Sequence, residues 1–440
     1  MYLSASKTQI LREYFYWVVF LSFISISLWV LNEAKYFPGD DFSWLYINIW
    51  SGTSLIFSII YFLFLGISAL FCQHYPPNDK KITCSVIVPA YNESRHIAET
   101  LQTLLDSDFP QEDLEIIAVN DGSQDDTLYW IKQANASGRI NIIDLKQNQG
   151  KKHALYQAIK IAKNEFIITV DSDTIVKKDT LKKLLFPFTD PRIGAVAGMI
   201  QKKADAVNFH TLMCDVMLIF GCGLLRQAQS FSGNVFCTPG ALSAYRKSAV
   251  MPLLDEWLNQ TFLGTPSRIG EDRAIASLLL QKNWQIVYQP AAEAETCLPE
   301  TYTATCKMLL RWTRSDIREN ILMLKFIITG ISNPDGRFLN IFLHWLFLNI
   351  NMLLPLLAIP GMIFLFSTSA HIGYKIAMLL VVNMLWSLIP VIVYYLKRKS
   401  IRRMIWAFIF GFYAQFALSW ITLYSLFTLH NSNWLTRTKN

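Results

Sequence analysis

Hydrophobic and polar positions divide this chain into two long apolar ends and a polar middle whose apolar runs are short. Tyr14 to Leu31 is uncharged and about one bilayer long, and Phe42 to Cys72 holds a second such stretch that stops at the polar run from Gln73. From residue 82 to 300 the runs are short and β-branched: Thr83 to Ala90, Leu114 to Asn120, Ile140 to Leu145, Phe166 to Val170 and Gly194 to Met199. Helical stretches are expected between them, at 94–107, 125–135, 151–163 and 178–188. Such alternation predicts an α/β domain with a mostly parallel sheet, whose ligands bind beyond the carboxyl ends of the strands. After residue 300, Lys307, Arg311, Arg314 and Arg318 recur at helical spacing as a basic face, which predicts a helix lying in a membrane interface. Apolar blocks then follow at 339–370, 376–396 and 404–429, the last two separated by the basic cluster Lys397 to Arg403.

The expected organisation is therefore two N-terminal transmembrane helices over 1–81, a catalytic domain over 82–300, interfacial amphipathic helices over 301–335, and a C-terminal transmembrane region with a tail over 336–440. Charge orients it. Lys7 and Arg12 precede the first span and Lys80 and Lys81 follow the second, whereas the intervening loop carries Glu33, Asp40 and Asp41 against Lys35. By the positive-inside rule the N-terminus, the polar domain and the cluster near residue 400 are cytoplasmic, in a multi-pass protein of the inner membrane. A second span directly after the first argues for anchors rather than a cleaved leader.

Composition agrees, with 52% apolar and 17% charged residues. The excess of Lys and Arg over Asp and Glu, 40 − 33 = +7, is small and scattered, which weighs against nucleic acid as a partner. The seven cysteines form no Cys-x-x-Cys pair and no zinc spacing, so they read as reduced, buried hydrophobes. Neither Gly-x-Gly-x-x-Gly nor a phosphate-loop lysine occurs, against a dinucleotide enzyme or an ATPase.

The chemistry-bearing residues cluster at predicted strand ends. Asp171 and Asp173 follow a buried strand two residues apart, as a clamp for Mg2+ or Mn2+ that neutralises a departing diphosphate. Alone the pair reads more readily as a solvated turn; its neighbours favour the clamp. Pro89, Tyr91 and Glu93 follow the first strand and Asp121 the second, where a base can stack and a carboxylate can accept an imide N–H. Lys151 opens the next helix and is either a phosphate contact or part of a solvated face. Asp272, with Glu271 beside it, follows the flexible Gly270 and is the candidate general base, a surface ion pair with Arg273 being the alternative. Arg311 offers a fork to a diphosphate and Trp312 a flat face to a sugar ring, unless both are simply interfacial. The combination implies a membrane-embedded sugar-nucleotide transferase.

These residues resemble the processive family-2 inverting glycosyltransferases, and within them the bacterial-type hyaluronan synthases, with chitin-oligosaccharide synthases close to them. The likeness covers nearly the whole chain. It is carried by Val86 to Glu93, Asn120-Asp121-Gly122-Ser123, Gly150 to Ala154, Val170 to Thr174, Gly240 to Arg246, Asn259 to Gly264, Gly270 to Arg273, Arg311-Trp312, Leu423 to Leu426 and Trp434 to Arg437. The resemblance implies that Gly240, Tyr245 and Arg246 belong to an acceptor loop. It also implies that Trp434, Thr436 and Arg437 close over the diphosphate. Three positions depart from the family pattern: Met308 stands for Gln, Ala241 for Pro and Leu435 for Gly. The implied activity is polymerisation of UDP-sugar donors onto a growing polysaccharide exported across the lipid bilayer. Hyaluronan from UDP-N-acetylglucosamine and UDP-glucuronate is the expected product, a chitin-like or other N-acetylglucosamine polymer its alternative, and a non-processive lipid-linked transfer the mechanistic rival. A single crossing by 404–429 would leave Trp434 and Arg437 on the far side, so that block is expected to lie in the interface or re-enter.

Overall fold

The computed structural model describes residues 60–72, 75–77, 81–203, 207–331, 338–350, 352–353, 372–399 and 401–432. The expected spans at 14–31 and most of 42–72, and the tail residues Trp434, Thr436 and Arg437, lie outside the described residues. The chain divides into two units: Cys72–Glu319 with Ser425–Asn440, and Met1–Phe71 with Asn320–Tyr424.

In the first unit the apolar runs are strands, and those at Cys84–Ala90 and Phe166–Val170 are buried on both faces, as the interior of a sheet covered by helices requires, whereas the run at Ile140–Leu145 forms a partly exposed edge. The order of elements is β1 (Cys84–Ala90), α1 (Ile97–Leu105), β2 (Leu114–Asp121), α2 (Thr127–Ala134), β3 (Ile140–Leu145), α3 (Lys151–Ile161), β4 (Phe166–Val170), β5 (Thr174–Val176) and α4 (Thr180–Leu185). There follow β6 (Ile193–Lys202), α5 (Phe209–Leu218), α6 (Arg226–Phe231), β7 (Leu242–Arg246), the hairpin β8–β9 (Thr261–Phe262, Thr265–Pro266), α7 (Glu271–Gln281), β10 (Gln285–Thr296) and α8 (Tyr302–Leu322), which runs on past Glu319. The eight-stranded sheet has the order β3-β2-β1-β4-β7-β6-β10-β5. It is parallel through β3-β2-β1-β4 and between β6 and β10, and antiparallel where β7 and β5 join. Pro89 is tolerated in β1 because pairing with β4 has already ended at Ile87, leaving no ladder bond for it to donate on that side.

β7 is the consequential departure from a parallel sheet. It runs back along β4, with Leu242 opposite Val170 and Arg246 opposite Phe166. The loop before β7 therefore lies at the carboxyl end of β4, whereas Arg246 lies at the other end of the sheet. There it donates to the Ile193, Phe188 and Asp190 carbonyls and to Glu165. Arg246 is thus a strand-end anchor rather than an acceptor residue.

The basic face expected on the helix after residue 300 also divides. Arg314 and Arg318 are buried, not set against lipid headgroups. Arg314 donates to the Thr428 hydroxyl at 2.8 Å, and Arg318 to the carbonyls of Leu429 and Asn431, at 2.7 and 2.8 Å. The cause is local: carbonyls at the end of a helix have no partners within it, and a guanidinium fork satisfies several of them together. The backbone entering the tail is thereby fastened to α8.

The second unit is helical, with described segments Ile60–Leu70, Leu324–Ile331, Phe338–Ile350, Ile372–Arg398 and Ile401–Tyr413. Aromatic side chains hold it together, Tyr61 and Phe64 each packing against Phe347 at a tilt, with their ring centroids 5.3 Å from its own. Among the described residues, Phe209–Phe231 and Met404–Phe427 are long and apolar enough to cross a membrane. The first is nearly half buried within the catalytic unit, as the continuous run from α5 through a π-helical turn at Ile219–Leu225 into α6.

Candidate active site

Three carboxyl-end loops meet through backbone donors. Asn92, in the left-handed region at φ 53°, accepts from the Gln124 amide, while its own N–H donates to the Ser123 hydroxyl. The Glu93 amide donates to Thr127 Oγ1 at 2.7 Å and the Ser94 amide to Asp125 at 3.2 Å. Asp121 is buried, and its two carboxylate oxygens accept from the Gln149 and Gly150 amides, each at 2.9 Å. This ties the loop before α3 to the end of β2. Tyr91 and Glu93 are half-buried beside this frame, and Pro89 is enclosed in β1.

The second half is built from ion pairs. Lys151 sits between Asp171 and Glu271, its Nζ at 2.5 and 2.8 Å from their carboxylates. Burial disfavours its charge, but the two carboxylates outweigh that and hold the ammonium protonated far above neutral pH. The lysine expected to meet phosphate therefore joins the metal clamp to the base motif. Gly240 lies over this bridge: a Cβ there would collide with Lys151 Nζ and come within 3.5 Å of both Asp171 and Glu271. A side chain at this point of the loop would displace the Lys151 ammonium from its place between the two carboxylates.

Asp272 is held from several sides. The Arg273 amide donates to its Oδ1 at 2.8 Å, the Cys237 thiol lies 3.7 Å from its Oδ2, and Thr238 Oγ1 donates to its carbonyl at 3.1 Å. Tyr245, expected in an acceptor loop, is instead buried, and its hydroxyl donates to Thr238 from behind the base. Burial and the adjacent Glu271 raise the Asp272 pKa above the ordinary carboxylate range. Burial works the same way on Glu271, but Lys151, with Arg311 behind it, keeps that carboxyl below its usual value. Two neighbouring carboxylates are thus pushed apart, one a fixed anion and the other poised to take a proton.

Helix α8 closes the site. Gly270 takes up φ 77°, and a Cβ on it would overlap Ser315, so α7 begins against α8 with no space between them. Arg311 faces Glu271, Asp316 lies 3.5 Å from Arg273 Nε, and Glu319 accepts from Gln260 at 2.9 Å. Trp312 stays 38% exposed. Sequence reasoning missed Cys237, Thr238, Asp316 and Arg226, whose charge also acts on Asp272. The four-residue steps 311, 315, 319 and 312, 316 were a readable signal of one face of a helix.

The donors of the implied metal fit. Asp171 already attracts a cation, the Lys151 ammonium, and the Asp173 carboxylate is oriented by the Thr296 hydroxyl at 3.4 Å. Among the described residues no three His, Cys, Asp or Glu side chains form a closed cage. Two hard carboxylates would leave positions for phosphate oxygens and water, the arrangement suited to Mg2+ or Mn2+.

Comparison with known proteins agrees with this geometry. The family described as Glycosyl transferase family 2 matches residues 85–254. A hyaluronan synthase of Streptococcus pyogenes is 30% identical over 410 residues, covering 90% of this chain and 94% of the relative. An N-acetylglucosaminyltransferase of Azorhizobium caulinodans is 35% identical over 243 residues, 54% of this chain and 61% of the relative's length. Among solved structures, the mannosyltransferase PcManGT from Pyrobaculum calidifontis, in complex with GDP-Man and Mn2+, superposes with a TM-score of 0.58. It is 18% identical and aligned over 83% of this chain and 98% of its own, which is a likeness of fold. The chain therefore belongs to the family-2 glycosyltransferases, as a hyaluronan synthase-like member.

Proposed function

We propose that the protein is a processive membrane synthase that builds an N-acetylglucosamine-containing polysaccharide from UDP-sugars by inverting transfer and passes the chain across the bilayer. One observation carries this reading: Asp272, a half-buried carboxylate of raised pKa, faces α8, the helix whose Arg311 acts on Glu271 and whose Asp316 feels Asp272, and on which Trp312 leaves an aromatic face open. The uridine is assigned to Tyr91, Glu93 and Asp121, beside Pro89 in β1, and the diphosphate to Lys151, Arg311 and the tail residues Trp434, Thr436 and Arg437. When bound at Asp171 and Asp173, Mg2+ or Mn2+ supplies positive charge to the leaving diphosphate.

Asp272 takes the proton of the acceptor hydroxyl while that oxygen bonds to the anomeric carbon. The bond from that carbon to the diphosphate breaks on the opposite face, UDP leaves with the electron pair, and the anomeric configuration inverts. Glu271 stays ionised on Lys151 and keeps Asp272 basic. The tail is assigned to the cytoplasmic side, because Arg314 and Arg318 hold Thr428, Leu429 and Asn431 against the catalytic unit. An interfacial or re-entrant path for 404–427 then also leaves Lys397 to Arg403 cytoplasmic, as the positive-inside rule asks.

The relatives support two product forms, hyaluronan from two donors and an N-acetylglucosamine homopolymer. The test is product analysis of the purified, lipid-reconstituted protein with each UDP-sugar alone and with both, in Mg2+ or Mn2+. A polymer made without release of short intermediates is expected. A single sugar transferred to lipid would replace this reading with the non-processive one.

A further inference from the structure

Asp316 takes no part in the transfer described above, yet it is the most exposed charged group beside the base. It follows Trp312 by four residues on α8, so the two project from one face of the helix. Its carboxylate lies 3.5 Å from Arg273 Nε, next in sequence to Asp272. The pair is strongly asymmetric: the Arg273 side chain is 4% exposed and the Asp316 side chain 56%. Arg273 spends a further N–H on the Phe236 carbonyl and lies over the Phe236 ring, 4.9 Å from its centroid. The open edge of this ion pair is therefore its carboxylate. Three charged groups act on it: Arg273, Arg226 at the start of α6, and Asp272.

An aromatic face with a carboxylate one helical turn away is a natural surface for a pyranose. The ring stacks, and the carboxylate accepts from sugar hydroxyls or an acetamido N–H. We propose that Asp316 is a specificity-determining residue of the acceptor subsite, which holds the terminal sugar with Trp312 and selects an uncharged, N-acetylamino sugar over a uronate. The argument for selection is electrostatic. A glucuronate terminus would bring a second carboxylate next to Asp316 and Asp272 in a partly desolvated cleft, where like charges repel more strongly than in water. This inference rests on the acceptor reading of Trp312 given above, and it points within that reading to a product grown from N-acetylglucosamine ends.

The test is binding of fluorescent oligosaccharides to the full-length, UDP-loaded protein. One set is β-1,4-linked N-acetylglucosamine, and the other has equal length and ends in glucuronate at the non-reducing end. At low salt the neutral set should bind about tenfold more tightly, and the gap should shrink at high salt. Asp316→Asn should close most of the gap by tightening the glucuronate-ended ligand, a change a merely structural role would not produce, and Asp316→Glu should preserve it. Equal affinities in the unmodified protein, or tighter binding of the glucuronate-ended set, would overturn the proposal without needing any variant. A gap that persists in Asp316→Asn would overturn it as well. Failure of both sets to bind, with UDP still bound, would overturn the acceptor reading of Trp312 and this inference with it.

Discussion

The two halves of the candidate site solve one problem, holding carboxylates in place, by opposite means. At the ends of β1 and β2, carboxylates are met by neutral backbone donors: Asp121 by two amides of the loop before α3, and Asp125 by the Ser94 and Thr127 amides. At β4, α7 and α8 they are met by cations from elsewhere in the chain, Asp171 and Glu271 by Lys151, and Asp316 by Arg273. Backbone donors belong to the fold and do not move without unfolding a loop. An ammonium on a long stem can change partners when a metal and a diphosphate arrive. The first half is therefore suited to recognising a constant nucleotide, and the second to chemistry in which charge is redistributed.

Substitutions separate the halves. Asp272→Asn should lower turnover by about 10²–10⁴-fold, the usual worth of a positioned general base, with UDP affinity preserved. Rates of sugar transfer beside UDP titrations check this, and near-normal turnover would remove Asp272 from its role. Because the pKa of Asp272 is raised, activity should climb with pH through a limb above the ordinary carboxylate range. Glu271→Gln removes the neighbouring negative charge, so that limb should move to lower pH. Lys151→Met comes next in size. It leaves Asp171 and Glu271 facing each other without their shared cation, at a cost of about 3–5 kcal/mol, toward the lower end because Asp171 is 31% exposed. Denaturant unfolding measures it, and an unchanged midpoint would mean that the bridge is incidental.

Legibility in the sequence follows the same division. β3 and β4 match their expected ranges, and β1 and β2 agree to within a residue, because short β-branched runs between turn residues carry their own signal. β7 and β10 were not expected. Leu242–Arg246 carries an arginine and two small residues, and Gln285–Thr296 contains Pro290 and two glutamates, so neither has the apolar run of a buried strand. Asp171, Asp173 and Asp272 stood out as acidic residues after apolar runs or a glycine. What joins them did not: Lys151 meets Glu271 across 120 residues of chain, and Arg318 meets Leu429 across 111. Local pattern holds no record of such pairings, and paired lysines or spaced arginines look alike on a solvated face and in a buried bridge.

On the nucleotide side the effects should be smaller. Asp121→Asn replaces a double acceptor with one oxygen and one NH2 group, so one backbone amide of the Gln149-Gly150 pair faces a donor. The loss should be about 1.5–3 kcal/mol, the worth of a hydrogen bond to a charged group. It should appear as weaker UDP binding with the turnover of bound substrate little altered. A variant that instead loses turnover at saturating donor would show that this loop also positions the reacting atoms.

The smallest effect belongs to Asp125, which lies largely in solvent at the start of α2 and accepts from the Thr127 amide, the Thr127 hydroxyl and the Ser94 amide. Partial burial opposes its charge, but these hydrogen bonds outweigh it and leave the carboxyl below its ordinary pKa. Its contribution should thus be complete above the unfolded value of about 3.9 and disappear as pH falls through the lower folded value. Asp125→Ala should cost about 0.5–2 kcal/mol at neutral pH, as loss of a helix-start acceptor does, with solvent screening favouring the lower half of that range. Unfolding of both proteins at neutral and strongly acidic pH checks the sign, since the difference should shrink in acid. A difference that stayed constant would mean that Asp125 acts by packing rather than by charge, and the contrast between a backbone-held half and an ion-paired half would then lose one of its supports.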